Sequence, residues 1–178
     1  MQQKNITESE DFDIRYFVED DLQGLKQLLM SPELMQWFPL STEEDVDLFL
    51  RNWKNFIPYK CSLTALYKGE AVGYGAIFLL PYRKVAIHTM GYVVVDPKFQ
   101  RSGVGTSIIR NLNHLSKNFK IVERLQFEIY EGCKIESILR DLGFNEVFRQ
   151  NGFVKMQQDQ QTKYRARVVF ERSNQTPL

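Results

Sequence analysis

The residues whose types and spacing suit them to chemistry lie in one short loop, Gln100-Arg101-Ser102-Gly103-Val104-Gly105. An apolar run ends just before it at Asp96-Pro97, and a helix-periodic stretch begins just after it. A strand that feeds a glycine-containing loop and then a helix builds an anion site. The loop N–H groups and the helix N-terminus direct positive partial charge at one spot. Two common versions of such a loop do not fit. A P-loop needs a lysine after its last glycine to reach the outer phosphates, and here Thr106 follows Gly105. A dinucleotide fingerprint needs a third glycine, and that position is Ile108. A third pattern, Q/R-x-x-G-x-G/A after a strand ending in V-x-P, is met in full by Gln100, Arg101, Gly103 and Gly105.

The elements that must position this loop follow from periodicity. Phe12 to Val18 alternates as a strand, and Glu19-Asp20-Asp21 suits the first turn of a helix with Leu22, Leu25, Leu28 and Leu29 on one face. Ser31-Pro32 ends that helix. After Trp37, Phe38 and Pro39, Ser41-Thr42-Glu43-Glu44 reads as a capping box for a second helix, with Val46, Phe49, Leu50, Trp53 and Phe56 inward. From Cys61 the period changes. Leu63 to Tyr67 and Ala71 to Leu80 form a hairpin around Lys68-Gly69-Glu70, and a turn near Pro81 to Lys84 leads into Val85 to Val95. Met90 to Val95 is apolar on both faces, as in a doubly covered central strand, and Gly91 within it points to a bulge or a close backbone approach. The helix after the loop carries Ile108, Ile109, Leu112, Leu115 and Phe119 on one face. With the strand from Ile121 to Tyr130 it makes a parallel crossover. A last helix (Ile135, Ile138, Leu139, Leu142) stops at Gly143. Phe144 to Val154 and Arg165 to Phe170 are the final strands, joined by an exposed Gln-rich loop over Met156 to Thr162. This order predicts an α/β sandwich around a mixed sheet. It forms one domain over residues 12–171, with a flexible tail at 1–11 and a frayed one at 172–178.

Composition narrows the classes. The 178 residues allow one substantial core. A net charge of +1 argues against a nucleic-acid surface or a polybasic membrane anchor. Cys61 and Cys133 have neither metal nor redox spacing, which fits a reducing cytoplasm. No run reaches the ~18 apolar residues of a membrane span, and the polar N-terminus lacks the apolar core of a signal peptide.

From Phe12 to Phe170 the chain resembles the GNAT superfamily of N-acetyltransferases. IRYFVEDDLQGLKQLL is similar to the family's first strand and helix, and GEAVGYGAI to its early hairpin. GYVVVDPKFQRSGVG is similar to its acetyl-CoA motif, and LRDLGF to its penultimate helix running into a strand. The resemblance implies a mostly antiparallel twisted sheet with helices on both faces and a splayed central parallel pair. It implies acetyl-CoA as co-substrate, its pyrophosphate on the amides of Arg101, Ser102, Gly103, Val104, Gly105 and Thr106, with Gln100 in the same motif. Glycine suits Gly103 and Gly105 because a Cβ would hold phosphates off the backbone. The pantetheine arm is expected along Val93, Val94 and Val95, with the Val93 amide as an oxyanion donor. The expected acceptor is a primary amine, small or peptidic, acetylated directly; a homodimer is compatible, and no metal is implied.

Proton handling has to be argued locally. An amine with a pKa near ~10 must lose a proton before attack, and the departing thiolate benefits from an acid. The glutamate that many family members carry on the central strand is Thr89 here, the late-helix tyrosine is Leu139, and Gly132-Cys133 replaces a frequent asparagine. These departures also admit a non-catalytic acyl-CoA-binding module. Local side chains could substitute. His88 is a base, or a strand histidine packed or facing solvent. Tyr130 is an acid and Glu128 a neighbouring carboxylate, or they are a strand aromatic and a rim charge. Tyr164 is a weaker candidate. Cys133 as a nucleophile lacks a histidine nearby in sequence, and His114 has no role. Glu43, Glu44, Asp45 and Asp47 attract a cation or, more simply, complement a helix dipole. Trp37, Phe38, Trp53 and Phe56 line an acceptor pocket or fill the core.

Overall fold

The computed structural model describes residues 12–79, 88–158 and 161–174. The N-terminal tail, the turn expected near Pro81 to Lys84 and residues 175–178 lie outside them. Seven strands, β1 (Phe12–Tyr16), β2 (Ser62–Tyr67), β3 (Glu70–Leu79), β4 (His88–Val95), β5 (Arg124–Tyr130), β6 (Asn145–Gln158) and β7 (Gln161–Ser173), form one sheet of order β1-β2-β3-β4-β5-β7-β6. Every neighbouring pair is antiparallel except β4 with β5. That pair is parallel because α4 (Val104–Ser116) carries the chain back along the sheet between them. On one face, α1 (Asp21–Leu29), α2 (Pro32–Met35) and α3 (Glu43–Phe56) bury Leu25, Leu29, Val46, Phe49 and Trp53 against the sheet. On the other, α4 and α5 (Ile135–Asp141) bury Ile108, Leu112 and Leu139 with Phe127 and Phe170.

Local sequence explains the joints. Lys68 and Gly69, both at positive φ (51° and 84°), give the β2–β3 hairpin a turn whose twist matches its strands. A Cβ at Gly75 would run into Ile108 and Leu112, so this glycine lets α4 lie close against β3 and fixes where its N-terminus emerges. At Gly91 the β3–β4 register is unbroken and a Cβ would meet the Phe127 ring, so the close approach, not the bulge, accounts for it. Gly143 (φ 78°) ends α5, and the Phe144 N–H returns to the Leu139 carbonyl at 2.9 Å.

Several boundaries differ from expectation. The capping box lies one residue later than Ser41–Glu44: Thr42 Oγ1 accepts from the Asp45 N–H at 3.2 Å, and Asp45 accepts from the Thr42 N–H at 2.9 Å. Pro32 ends α1 but opens the short α2, capped by Ser31. The expected Gln-rich loop is largely strand, with Met156 opposite Lys163 and Gln158 opposite Gln161. The expected frayed tail starts too early. Arg172 and Ser173 belong to β7, Arg172 donates to the Leu142 carbonyl, and the Asn174 N–H donates to the Glu123 carbonyl at 2.9 Å.

Candidate acyl-CoA site

The parallel pair supplies the opening. His88 to Gly91 of β4 pair with Arg124 to Phe127 of β5, and beyond Gly91 the two strands part. Each keeps its other neighbour, so Tyr92–Val95 and Glu128–Tyr130 face each other across a gap. The Asp96 N–H donates to the Val72 carbonyl at 2.9 Å, which fixes the alternation along β4. Tyr92 and Val94 therefore turn their backbone groups to β3, while Val93 and Val95 turn theirs to the gap. Of the three valines named from sequence, Val94 offers no free backbone group; its side chain is buried under α1 and α3.

The loop sits at the mouth of this gap. Among the described residues, none of the backbone N–H groups from Arg101 to Thr106 makes a well-formed hydrogen bond; the Ser107 N–H, 2.9 Å from the Gly103 carbonyl, is the first of α4 to do so. Arg101 (φ 65°) and Gly103 (φ 90°) are both left-handed, which curls successive N–H groups into a concave nest. Ser102 Oγ ties the curl by donating to the Phe99 carbonyl at 2.5 Å. Gly105 is uncrowded by the protein: a Cβ would lie 3.7 Å from Ile138 and Val95, an ordinary contact. No contact among the described residues requires glycine there. Arg101 makes no ion pair among the described residues, and Lys134 Nζ meets only the neutral Gln100 amide at 2.9 Å. Six free amides and two uncompensated cations fit a pyrophosphate.

A cleft of about 740 Å³ runs from this nest along the gap. Glu128 and Tyr130 line it from β5 and Tyr92 from β4, with Trp37 and Phe38 from the segment after α2 on one side and Cys133 on the other. Tyr130 is 4% exposed. Burial, then the Glu128 charge, pushes its phenol above the usual range despite the opposing Arg167. Burial also pushes Tyr92 up to about 12, with Glu128 and Tyr130 adding to it. Glu128 is held by Arg167 at 2.7 Å. His88 opens β4 opposite Arg124, at the end of the pair away from the nest; its side chain lies outside the described residues. Thr89 is buried and donates to the Arg124 carbonyl, and Leu139 is wholly buried in the core, so neither presents a functional group to the gap. Tyr164 is 60% exposed.

Other sequence readings divide. Trp37 and Phe38 line the cleft, whereas Trp53 is core and Phe56 stacks on Phe78. The acids of α3 serve the helix and its neighbour: Asp45 caps it, and Glu43 and Asp47 pair with Lys26 at 2.8 and 2.7 Å. Burial pushes the Cys133 thiol up, which disfavours a thiolate nucleophile. Tyr92, Arg165 and Arg167 were missed from sequence. Alternation within each strand was the available signal, but that Tyr92 shares a face with Glu128 and Tyr130 follows from the register of His88 with Arg124.

Fold and nest together define a class: transferases that hold an acyl-CoA donor in the opening of a mixed sheet. The chain belongs to the GNAT acetyltransferase family, whose family model matches residues 22–138. Acetyl-CoA is the co-substrate of that family. Solved structures share the fold at low identity. The yncA protein of Salmonella typhimurium, solved with its cofactor acetyl-CoA, superposes with a TM-score of 0.75 at 14% identity, over 95% of this chain and 97% of that one. A ribosomal-protein-alanine N-acetyltransferase from Brucella melitensis gives 0.72 at 17%, over 90% and 98%. The Escherichia coli ribosomal-protein-S18-alanine N-acetyltransferase gives 0.69 at 14%, over 93% and 96%. No curated protein sequence matches significantly. Among the described residues no cluster of His, Cys, Asp or Glu could hold a metal ion, and no helix is long and apolar enough to cross a membrane.

Proposed function

We propose that this protein acetylates a primary amine directly from acetyl-CoA, in the cytoplasm. The observation that carries the reading is the row of unbonded amides from Arg101 to Thr106 at the mouth of the β4–β5 gap. Those amides, with Arg101 and Lys134, would hold the pyrophosphate. The gap-facing backbone edges of Val93 and Val95, the Val95 carbonyl already accepting from Gln100 Nε2 at 3.5 Å, would receive the pantetheine arm as an added strand, and Val93 N–H would donate to the carbonyl oxygen as charge develops there. The bound donor supplies an activated acetyl group: the amine nitrogen forms a C–N bond as the C–S bond breaks, the amine gives up a proton and the sulfur ends as a thiol.

The chain's own contribution at this point is proton handling and orientation. Tyr130, buried and kept protonated, suits the acid. Glu128, fixed by Arg167, faces the same gap and would draw the cationic amine in. His88 is the other candidate base, to be separated from Glu128 by mutation. Isothermal titration tests the first half of the reading: the protein should bind acetyl-CoA and coenzyme A, and absence of binding would overturn it. Release of coenzyme A in the presence of amines tests the second.

A further inference from the structure

Behind the cleft lining of Trp37, Glu128 and Tyr130, β7 carries two arginines on one face. Arg167 stands opposite Tyr130, and the Glu131 N–H donates to the Ala166 carbonyl at 2.9 Å. Arg165 therefore lies just beyond Tyr130, at the open end of the gap. Its guanidinium stacks on Trp37, 4.3 Å from the ring centroid, and Trp37 lines the cleft. Its charge also reaches Cys133 on the same cleft. Arg167 gives one N–H to Glu128 and is flanked by Phe148 and Phe153 at 5.8 and 5.2 Å.

Charge and hydrogen bonding are both left unbalanced there. Glu128 neutralises Arg167, while Arg165 makes no ion pair among the described residues. Arg165 Nη1 and Arg167 Nε are buried without a hydrogen-bond partner. A desolvated guanidinium N–H with no acceptor is costly, and natural folds leave few of them. Stacking on an indole uses the guanidinium's face and leaves its in-plane N–H fork, the edge that matches a carboxylate.

Resting on the transferase reading above, we propose that the acceptor is an amino-acid-like small molecule. A carboxylate, or an equivalent anion, lies next to its amine and binds Arg165, while the ammonium end meets Glu128. The product is then an N-acetyl acid, still anionic after its amine has lost its charge. A peptide N-terminus, whose neighbouring carbonyl is a neutral amide, offers Arg165 an acceptor but no counter-charge.

The test compares matched acceptors on the unaltered protein: a panel of α-amino acids, their methyl esters and their decarboxylated amines, alongside short peptides, reading coenzyme A release. At least one free acid should exceed its ester and decarboxylated amine by about a hundredfold or more in kcat/KM. Arg165→Gln should raise KM for that acid about 10–100-fold, with acetyl-CoA affinity by calorimetry unchanged, and Arg165→Lys should recover part of the loss. Esters, amines or peptides used as well as the acids, or an unchanged KM in Arg165→Gln, overturns the inference and leaves the transferase reading standing. Acetyl-CoA binding without turnover of any acceptor overturns both.

Discussion

At the scale of single residues, the deciding feature is how burial sets the state of Tyr130. Burial first, then the nearby Glu128 charge, holds its phenol protonated beyond the usual tyrosine range of ~10. An acid that must be protonated to act loses activity as pH rises through its pKa. The alkaline limb of kcat should therefore fall above the range of an ordinary phenol. Tyr130→Phe should lower kcat about 100-fold, remove that limb and leave acetyl-CoA affinity unchanged by calorimetry; an unaltered rate excludes Tyr130. Glu128→Gln and His88→Ala, compared in kcat/KM, should show which residue serves the amine: the one that does should lose about 100-fold. The nest was legible in the sequence because its chemistry is local, glycines at fixed spacing between a strand and a helix. Arg165 on Trp37 was not, because a contact made across the sheet leaves no periodic trace in either segment.

Elements place these residues, and their own joints can be tested. Gly103 begins α4 at φ 90°, a conformation that a β-branched residue adopts only under strain. Gly103→Val should weaken coenzyme A binding at least about tenfold by calorimetry, since it distorts the nest as well as filling it. α1 is anchored by Asp21, which is 7% exposed and accepts from Arg15 twice at 2.7 Å, from Thr64 Oγ1 at 2.7 Å and from the Val18 N–H at 2.9 Å. Burial alone would raise its carboxyl, but the bonds from Arg15, Val18 and Thr64 outweigh it, and the net shift is downward. A depressed folded pKa gives stability that is complete above about pH 4 and is lost as pH falls through the folded value. Asp21→Asn should cost about 2–4 kcal/mol in denaturant titration at neutral pH, and should flatten the acid dependence. The sequence located α1, the β2–β3 hairpin and the crossover because each is coded within a short window. It misjudged Met156–Thr162 and Arg172–Asn174 because their order comes from partners elsewhere. Gln-rich β6 is held by its register with β7, and Asn174 by Ser116 and Glu123.

On the scale of the whole molecule, the site is a consequence of topology. The sheet divides into β1–β4, which carries α1 to α4, and β5–β7, which carries α5. Among the described residues, strand pairing between the two halves is limited to four residue pairs of β4 and β5, beside the core they share under α4 and α5. A donor lying along Val93 and Val95, with its phosphates on the α4 nest, would span the unpaired end and touch both halves. Its binding free energy should then appear as stability of the entire fold, rather than as ordering of one loop. At a hundred times Kd, mass action adds about 2.7 kcal/mol. In a chain of this size that is a rise in Tm of roughly 5–10 °C, in a single transition. Hydrogen exchange should resolve where the stabilisation is seated. With coenzyme A, the amides from Arg101 to Thr106 and those of Val93 and Val95 should become protected, since they are the free donors. Strand β7, which does not border the gap, should slow with them by global stabilisation. Protection confined to the loop, with no change in Tm, would show that the donor does not bridge the gap, and the role assigned to Val93 would have to be abandoned.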